Sequence, residues 1–351
     1  MWHRLFWRRR RPFRGGAAVR VRPLTEILAT LDGQGRLEGM PFMPERAEYC
    51  GKTFHIARRM DQVFLDHHLY TGRLTGLVRL EGLRCDGRFH HGCQMGCNLL
   101  WKEAWLEPLE TESAARRRGA QDAGDAPAGW FAGASQSPAQ PKGARLPAAS
   151  AGPSADWIGG LPTEVEGRFF CQATELAAVA RRLPWWDVGQ YLRRLSGGEL
   201  SPGQLVRMVA LIGWNRLRRR LGLHEHGMVR GPGRAEAAAG LHLQPGELLE
   251  VKALTDIAAT LDGHGRMRGL AFVPEMARHC GRRFRVARRV DRLIVEWSGQ
   301  MRELCDTVAL EGVICHGLAQ RRCPRGCFHL WREAWLRRVE SPPSPGEKQE
   351  R

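Results

Sequence analysis

The sequence predicts a mixed, mainly β protein: two small SH3-like β-barrel modules joined by a disordered linker and a helical middle segment. Three observations predict it. Residues 16–110 and 246–340 match without a gap at an offset of 230 positions, Cys315 against Cys85. Each copy carries short alternating strand signals broken by glycine turns, with only brief helical stretches. Between the copies the composition changes twice, to an Ala/Gly/Pro/Ser/Gln-rich stretch over 111–160 and then to helix formers over 161–240.

The repeat carries most of the weight. Val19-Arg20-Val21 returns as Leu249-Glu250-Val251, and Asp32-Gly33 as Asp262-Gly263. Pro44-Glu45 returns as Pro274-Glu275, Cys50-Gly51 as Cys280-Gly281, and Leu80-Glu81-Gly82 as Leu310-Glu311-Gly312. A match of that length argues for duplication of a whole folding unit. Two copies with a long spacer make a tandem pair rather than a solenoid.

In chain order, residues 1–15 read as a disordered basic arm. In the first module, Val19 and Val21 mark a strand and Leu24–Leu31 one or two helical turns. Asp32-Gly33-Gln34-Gly35 is a turn, and Pro44–Cys50 is a short helix closed by Gly51. Phe54–Met60 and Leu77–Leu83 read as paired strands, with a turn at Tyr70-Thr71-Gly72 in their connection. The 111–160 linker lacks the apolar surface to offset ordering entropy. In the middle segment, Thr174–Leu183 is helical and stops at Pro184, Trp185–Leu192 is a second helix, and Ser201-Pro202 opens a third over 204–221. The apolar stripe of that third helix is expected to pack on neighbouring modules, leaving its arginines solvated. The second module, 246–340, repeats the first, and 341–351 is a disordered tail.

A net charge of +17 and a pI near 10.3 favour polyanions. The Arg-rich arm and residues 204–221 are the surfaces to which nucleic acid or an anionic membrane would bind. No apolar run reaches the length of a signal peptide or a membrane span, so a cytoplasmic setting, with membrane-peripheral binding, is expected. In that compartment clustered cysteines read as metal ligands or redox groups before disulfides.

Each module carries four cysteines at matching positions: Cys50, Cys85, Cys93 and Cys97, then Cys280, Cys315, Cys323 and Cys327. Four thiols match the ligand count of an all-cysteine Zn or Fe–S site, and closed four-thiolate sites favour Zn, two per chain. His90 or His91 in the first module, and His316 or His329 in the second, are alternatives to one thiol. A thin barrel core would benefit from such a staple. The competing reading makes these cysteines small buried apolar residues. Cys171 and Cys305 have no partner at the offset and read as inert.

Trp101 and Trp105, with Trp331 and Trp335, follow the last cysteine of each copy and read as core residues closing the barrel. Glu45 and Glu275, Asp61 and Asp291, and Glu81 and Glu311 are repeated acids, read as turn and strand-end residues. No nucleophile, phosphate loop or catalytic motif accompanies them.

The stretches Phe170-Cys171-Gln172-Ala173-Thr174-Glu175-Leu176, Pro184-Trp185-Trp186-Asp187, Leu243–Leu248, Cys323-Pro324-Arg325 and Trp331–Leu336 resemble a group of bacterial proteins with a duplicated Cys/Trp-rich module and no established activity. That resemblance implies bacterial origin and a cytoplasmic setting, and it carries over no catalytic residue. The expected function is therefore a non-catalytic or accessory one, with a Cys-ligated metal in each module. The alternatives are a nucleic-acid-binding protein using Arg and Trp surfaces, and a metal-dependent or redox enzyme with an open coordination position.

Overall fold

Alternation of Val19 and Val21 with Ala18 and Arg20 builds the strand Ala18–Val21, whose valines are fully buried. This computed structural model describes residues 13–65, 70–109, 160–184, 187, 189, 201–221, 228–233, 240–317 and 323–339. The Ala18–Val21 strand pairs antiparallel with Thr53–Arg59 on one side and Leu106–Pro108 on the other. Thr53–Arg59 then pairs with Leu77–Arg84, and that strand with Asn98–Lys102. The result is a curled five-stranded antiparallel sheet.

A second sheet has the same order: Phe328–Arg332, Thr307–Ile314, Arg283–Arg289, Leu248–Val251, Leu336–Arg338. Register agrees as well, with Val19 opposite Phe54 and Leu249 opposite Phe284. In both sheets the longest strand breaks register before it meets the cysteine loop, between Arg79 and Arg84 and between Ala309 and Ile314. Gly82 and Gly312 lie in those breaks at φ 73° and 69°, a conformation that costs a side chain about 1–2 kcal/mol.

The paired tryptophans lie in the cores, as expected. Trp101, Trp105, Trp331 and Trp335 are fully buried. Trp105 Nε1 donates to Thr30 Oγ1 at 3.2 Å and Trp335 Nε1 to Thr260 Oγ1 at 3.0 Å. Each threonine hydroxyl donates in turn to a carbonyl of its short helix, Ile27 or Ile257. The 3₁₀ turns Pro44–Tyr49 and Pro274–His279 start on proline, whose missing N–H would go unpaired there anyway.

The described residues group into two compact units that do not follow the sequence repeats. One lies within Met1–Val63, Arg73–Arg181 and Val295–Gln300, the other within Phe64–Gly72, Arg182–Ile294 and Met301–Arg351. The start of the middle segment thus belongs with the first unit.

Three local expectations change. Tyr70–Arg73 is a strand rather than a turn, since Tyr70 and Thr71 favour extended backbone and pair into a three-stranded sheet with Gln62–Leu65 and Arg181–Leu183. The helix of the middle segment runs Gln172–Val179 and ends before Pro184, because Arg181–Leu183 joins that sheet. The helix Pro202–Arg220 forms as expected, but Val206 and Trp214 stay in solvent at 69% and 50% exposure, while Leu205 and Met208 are half-buried. No helix among the described residues is long and apolar enough to cross a membrane. The expected linker, the C-terminal tail, nearly all of the basic arm and most of the Trp185–Leu192 helix lie outside the described residues.

Candidate metal centre

Two groups of donor atoms converge, one in each unit: Glu45, Cys85 and His90, and Glu275, Cys315 and His329. Within each group the carboxylate, thiol and imidazole atoms all lie within 4.8 Å of one another. The acids come from the 3₁₀ turns and the cysteines follow the longest strand of each sheet. The histidines come from different places. His90 lies in the loop after Cys85, whereas His329 lies on the Phe328–Arg332 strand. At the 230 offset their counterparts are Gln320 and Leu99.

In the first unit the loop folds tightly. Cys85 N–H donates to Cys97 O at 2.8 Å, and the Gly87 carbonyl accepts from His90 and Gly92 N–H. Gly87 has φ 72°, and a Cβ there would meet Cys93 O at 2.0 Å. Only glycine fits.

His90 Nδ1 lies 2.6 Å from Glu45 Oε1, and its Nε2–H donates to Phe170 O at 3.2 Å. A carbonyl can only accept, so Nε2 carries a proton, and Nδ1 faces Glu45 and Cys85, where it donates to the carboxylate and where a bound cation would take the place of that proton. Metal-binding histidines are held this way, with the far ring N–H on a carbonyl oxygen. Burial alone would raise the Glu45 carboxyl. The hydrogen bond and charge of His90, helped by Arg46, outweigh burial and hold it below the usual carboxylate range. Glu45 Oε2 is buried without a hydrogen-bond partner.

In the second unit Glu275 Oε1 accepts from His316 N–H at 2.6 Å and faces Arg278 Nη2 at 3.3 Å. Its Oε2 lies 3.8 Å from Cys315 Sγ. Cys315 Sγ accepts from Gly317 N–H at 3.2 Å, and Cys323 Sγ from Phe64 N–H at 3.4 Å. Amide donors to sulfur favour the thiolate that a metal needs. His329 is 6% exposed, its Nε2 has no hydrogen-bond partner, and burial pushes its pKa down to about 4. A buried polar atom left without a partner costs about 1–3 kcal/mol, so each unit carries one donor that a cation would satisfy.

Of the eight cysteines expected as ligands, Cys85 and Cys315 enter these groups. Cys93 is near enough to Cys85, and Cys323 and Cys327 near enough to Cys315, for charge repulsion to add to burial in raising those thiols. Cys97 meets Cys85 through the backbone, as Cys327 meets Cys315. Cys50 and Cys280 stand outside. Each closes a 3₁₀ turn, and Cys50 Sγ rests 3.9 Å from Arg46 O. Its thiol is pushed up to about 12 by burial alone. Among the described residues, the donors that converge within 4.8 Å are thus a mixed carboxylate, thiol and imidazole set. Among the histidine alternatives, His90 and His329 enter the groups, while the exposed His91 pairs with Glu164 at 3.4 Å. The two acids lie in turns, as expected, but sequence reasoning gave them no part in the site. Their signal was identity at the offset while their turns change around them, Arg46 to Met276 and Tyr49 to His279.

Compared with protein-family models, with curated proteins and with solved structures, the chain matches none of them.

Proposed function

We propose that this is a non-catalytic or accessory metal-binding protein in which each unit holds one thiophilic divalent cation, Zn²⁺ by preference. One observation carries the reading. The same three donor types, a buried acid and imidazole with a half-buried thiol, converge in both units, although the histidine comes from non-equivalent positions. Simple inheritance of a repeat would carry the acid and the thiol, but not an imidazole from a new place.

Mixed N, O and S donors suit Zn²⁺, whereas an iron–sulfur cluster calls for thiolates throughout. The shared strand order and register support descent of both sheets from one duplicated SH3-like unit. The resemblance to bacterial proteins supports a bacterial cytoplasm as the setting.

The test is elemental analysis of the full chain purified without chelator. About two equivalents of Zn²⁺ are expected, and Cys85→Ser and Cys315→Ser should each remove about one. A metal-free chain that takes up neither Zn²⁺ nor Co²⁺, or loading untouched by both substitutions, overturns the reading.

A further inference from the structure

We propose that Cys171, supplied by the segment between the repeats, is a further ligand of the cation in the first unit, so that the metal clasps this segment onto the Cys85 loop. The inference rests on the metal reading of that unit and adds a donor to it.

The residues on either side of Cys171 are fastened to the site. Phe170 O accepts the Nε2–H of His90. Gln172 Oε1 accepts from Arg46 Nη2 at 2.6 Å and Leu100 N–H at 2.9 Å, and its Nε2 donates to Asn98 O at 2.8 Å. Its backbone N–H points at Met43 Sδ, 3.2 Å away. Just upstream, Phe169 meets the His91 ring edge-on at 5.0 Å. Cys171 is held between these anchors and is 8% exposed.

The thiol is also prepared for charge. Cys171 is the N-cap of the Gln172–Val179 helix, and its side chain accepts from the backbone of Thr174. Donors at a helix start favour the thiolate. Cys171 lies near enough to Cys85 and Cys93 for their charges to act on one another. Glu45 Oε2, buried and without a hydrogen-bond partner beside Cys85 and His90, is a polar atom that a cation would satisfy. Cys171 is not among the three donors that already lie within 4.8 Å of one another; drawn in by the cation, it would raise them to the four of a closed site.

The two repeats supply a control within one chain. Positions Met43, Arg46 and His90, whose side chains hold 170–172, become Val273, Met276 and Gln320 at the offset. The features that receive Cys171 are confined to the first unit.

The experiment uses the full chain carrying Cys315→Ser, which leaves the first unit's site to be read alone. Co²⁺ uptake by this chain tests the metal reading there, and failure of uptake ends both. Adding Cys171→Ser keeps a good N-cap and should lower the sulfur-to-cobalt charge-transfer absorbance by one thiolate's share. Affinity should weaken by more than the roughly tenfold to hundredfold that loss of a merely supporting residue costs. An unchanged spectrum and affinity, with uptake still abolished by Cys85→Ser, overturns the role of Cys171 and leaves the reading intact. A second measurement needs no change at position 171. In the ¹¹³Cd-loaded Cys315→Ser chain, a correlation from cadmium to the Cys171 Hβ protons supports the clasp. Correlations to Cys85 without Cys171 overturn it.

Discussion

Gly87 and Gly92 lie in the same loop at nearly the same backbone angle, φ 72° and 73°. An alanine costs about 1–2 kcal/mol of strain at either. A new Cβ at Gly87 also meets Cys93 O at 2.0 Å, whereas at Gly92 nothing lies within 4 Å. Gly87→Ala should therefore empty the first unit's site in a metal assay, while Gly92→Ala should lower stability by roughly 1 kcal/mol and keep the metal. His279 gives a second residue-scale test. It packs edge-on to Phe284 and Trp331, where Tyr49 packs on Phe54 and Trp101. Burial, with Arg278 and Arg282 nearby, pushes the His279 pKa down to about 4. The unfolded chain then binds the extra proton first. The His279 share of stability is full above about pH 6.5 and falls as pH drops toward 4, by about 3 kcal/mol at most, and His329, also lowered to about 4, adds its own fall over the same range. His279→Tyr should make that fall shallower, leaving the His329 share, in denaturant melts at stepped pH; an unaltered slope counts against a buried neutral imidazole at 279. Both histidines that enter the donor groups were readable at this scale, because histidine beside clustered cysteine is a chemical signal. Glu45 and Glu275 were visible as repeated acids, but no spacing tells that a glutamate in a Pro-Glu turn points inward. Cys171 had no partner at the offset, and its neighbourhood exists only once the chain is folded.

At the scale of elements, both sheets end in the same acid–arginine pair with different surroundings. Glu103 pairs with Arg59 and its side chain stays 26% exposed. Glu333 is fully buried, accepts from Arg289 Nη1 at 2.8 Å, and also caps the amides of His242 and Leu243. A half-wet pair contributes about 1 kcal/mol or less, whereas breaking a buried one leaves uncompensated polar groups and costs about 3–5 kcal/mol. Glu333→Ala should therefore lower the unfolding free energy several-fold more than Glu103→Ala, as read from denaturant midpoints of the full chain. Equal losses would mean that the segment before the second sheet is held by something else. The strands themselves were legible, since Val19 and Val21 alternate and the apolar-rich Leu77–Leu83 run opens after Gly76. What escaped was the small three-stranded sheet with Tyr70–Arg73 and Arg181–Leu183. Its strands are too short for periodicity to register, and their partners lie far apart in sequence.

For the molecule as a whole, a net charge of +17 and an unburied amphipathic helix act together. Packing of its apolar stripe was the natural expectation, because an unpaired stripe is costly in water. Instead Val206, Val209, Trp214, Leu217 and Leu221 face solvent, alongside Arg207 and Arg220. The two contributions have different signatures. Charge attraction to any polyanion weakens steeply with salt, since bound counterions are released on contact. Apolar side chains entering a lipid interface add a part that salt does not remove. The full chain should therefore co-sediment with phosphatidylglycerol vesicles and not with phosphatidylcholine ones, and a fraction should persist at high salt. Leu217→Asp should abolish the persistent fraction and leave the salt-sensitive one, while Arg207→Glu should do the reverse. Binding that vanishes entirely with salt, and is matched on duplex DNA, would instead assign this surface to nucleic acid.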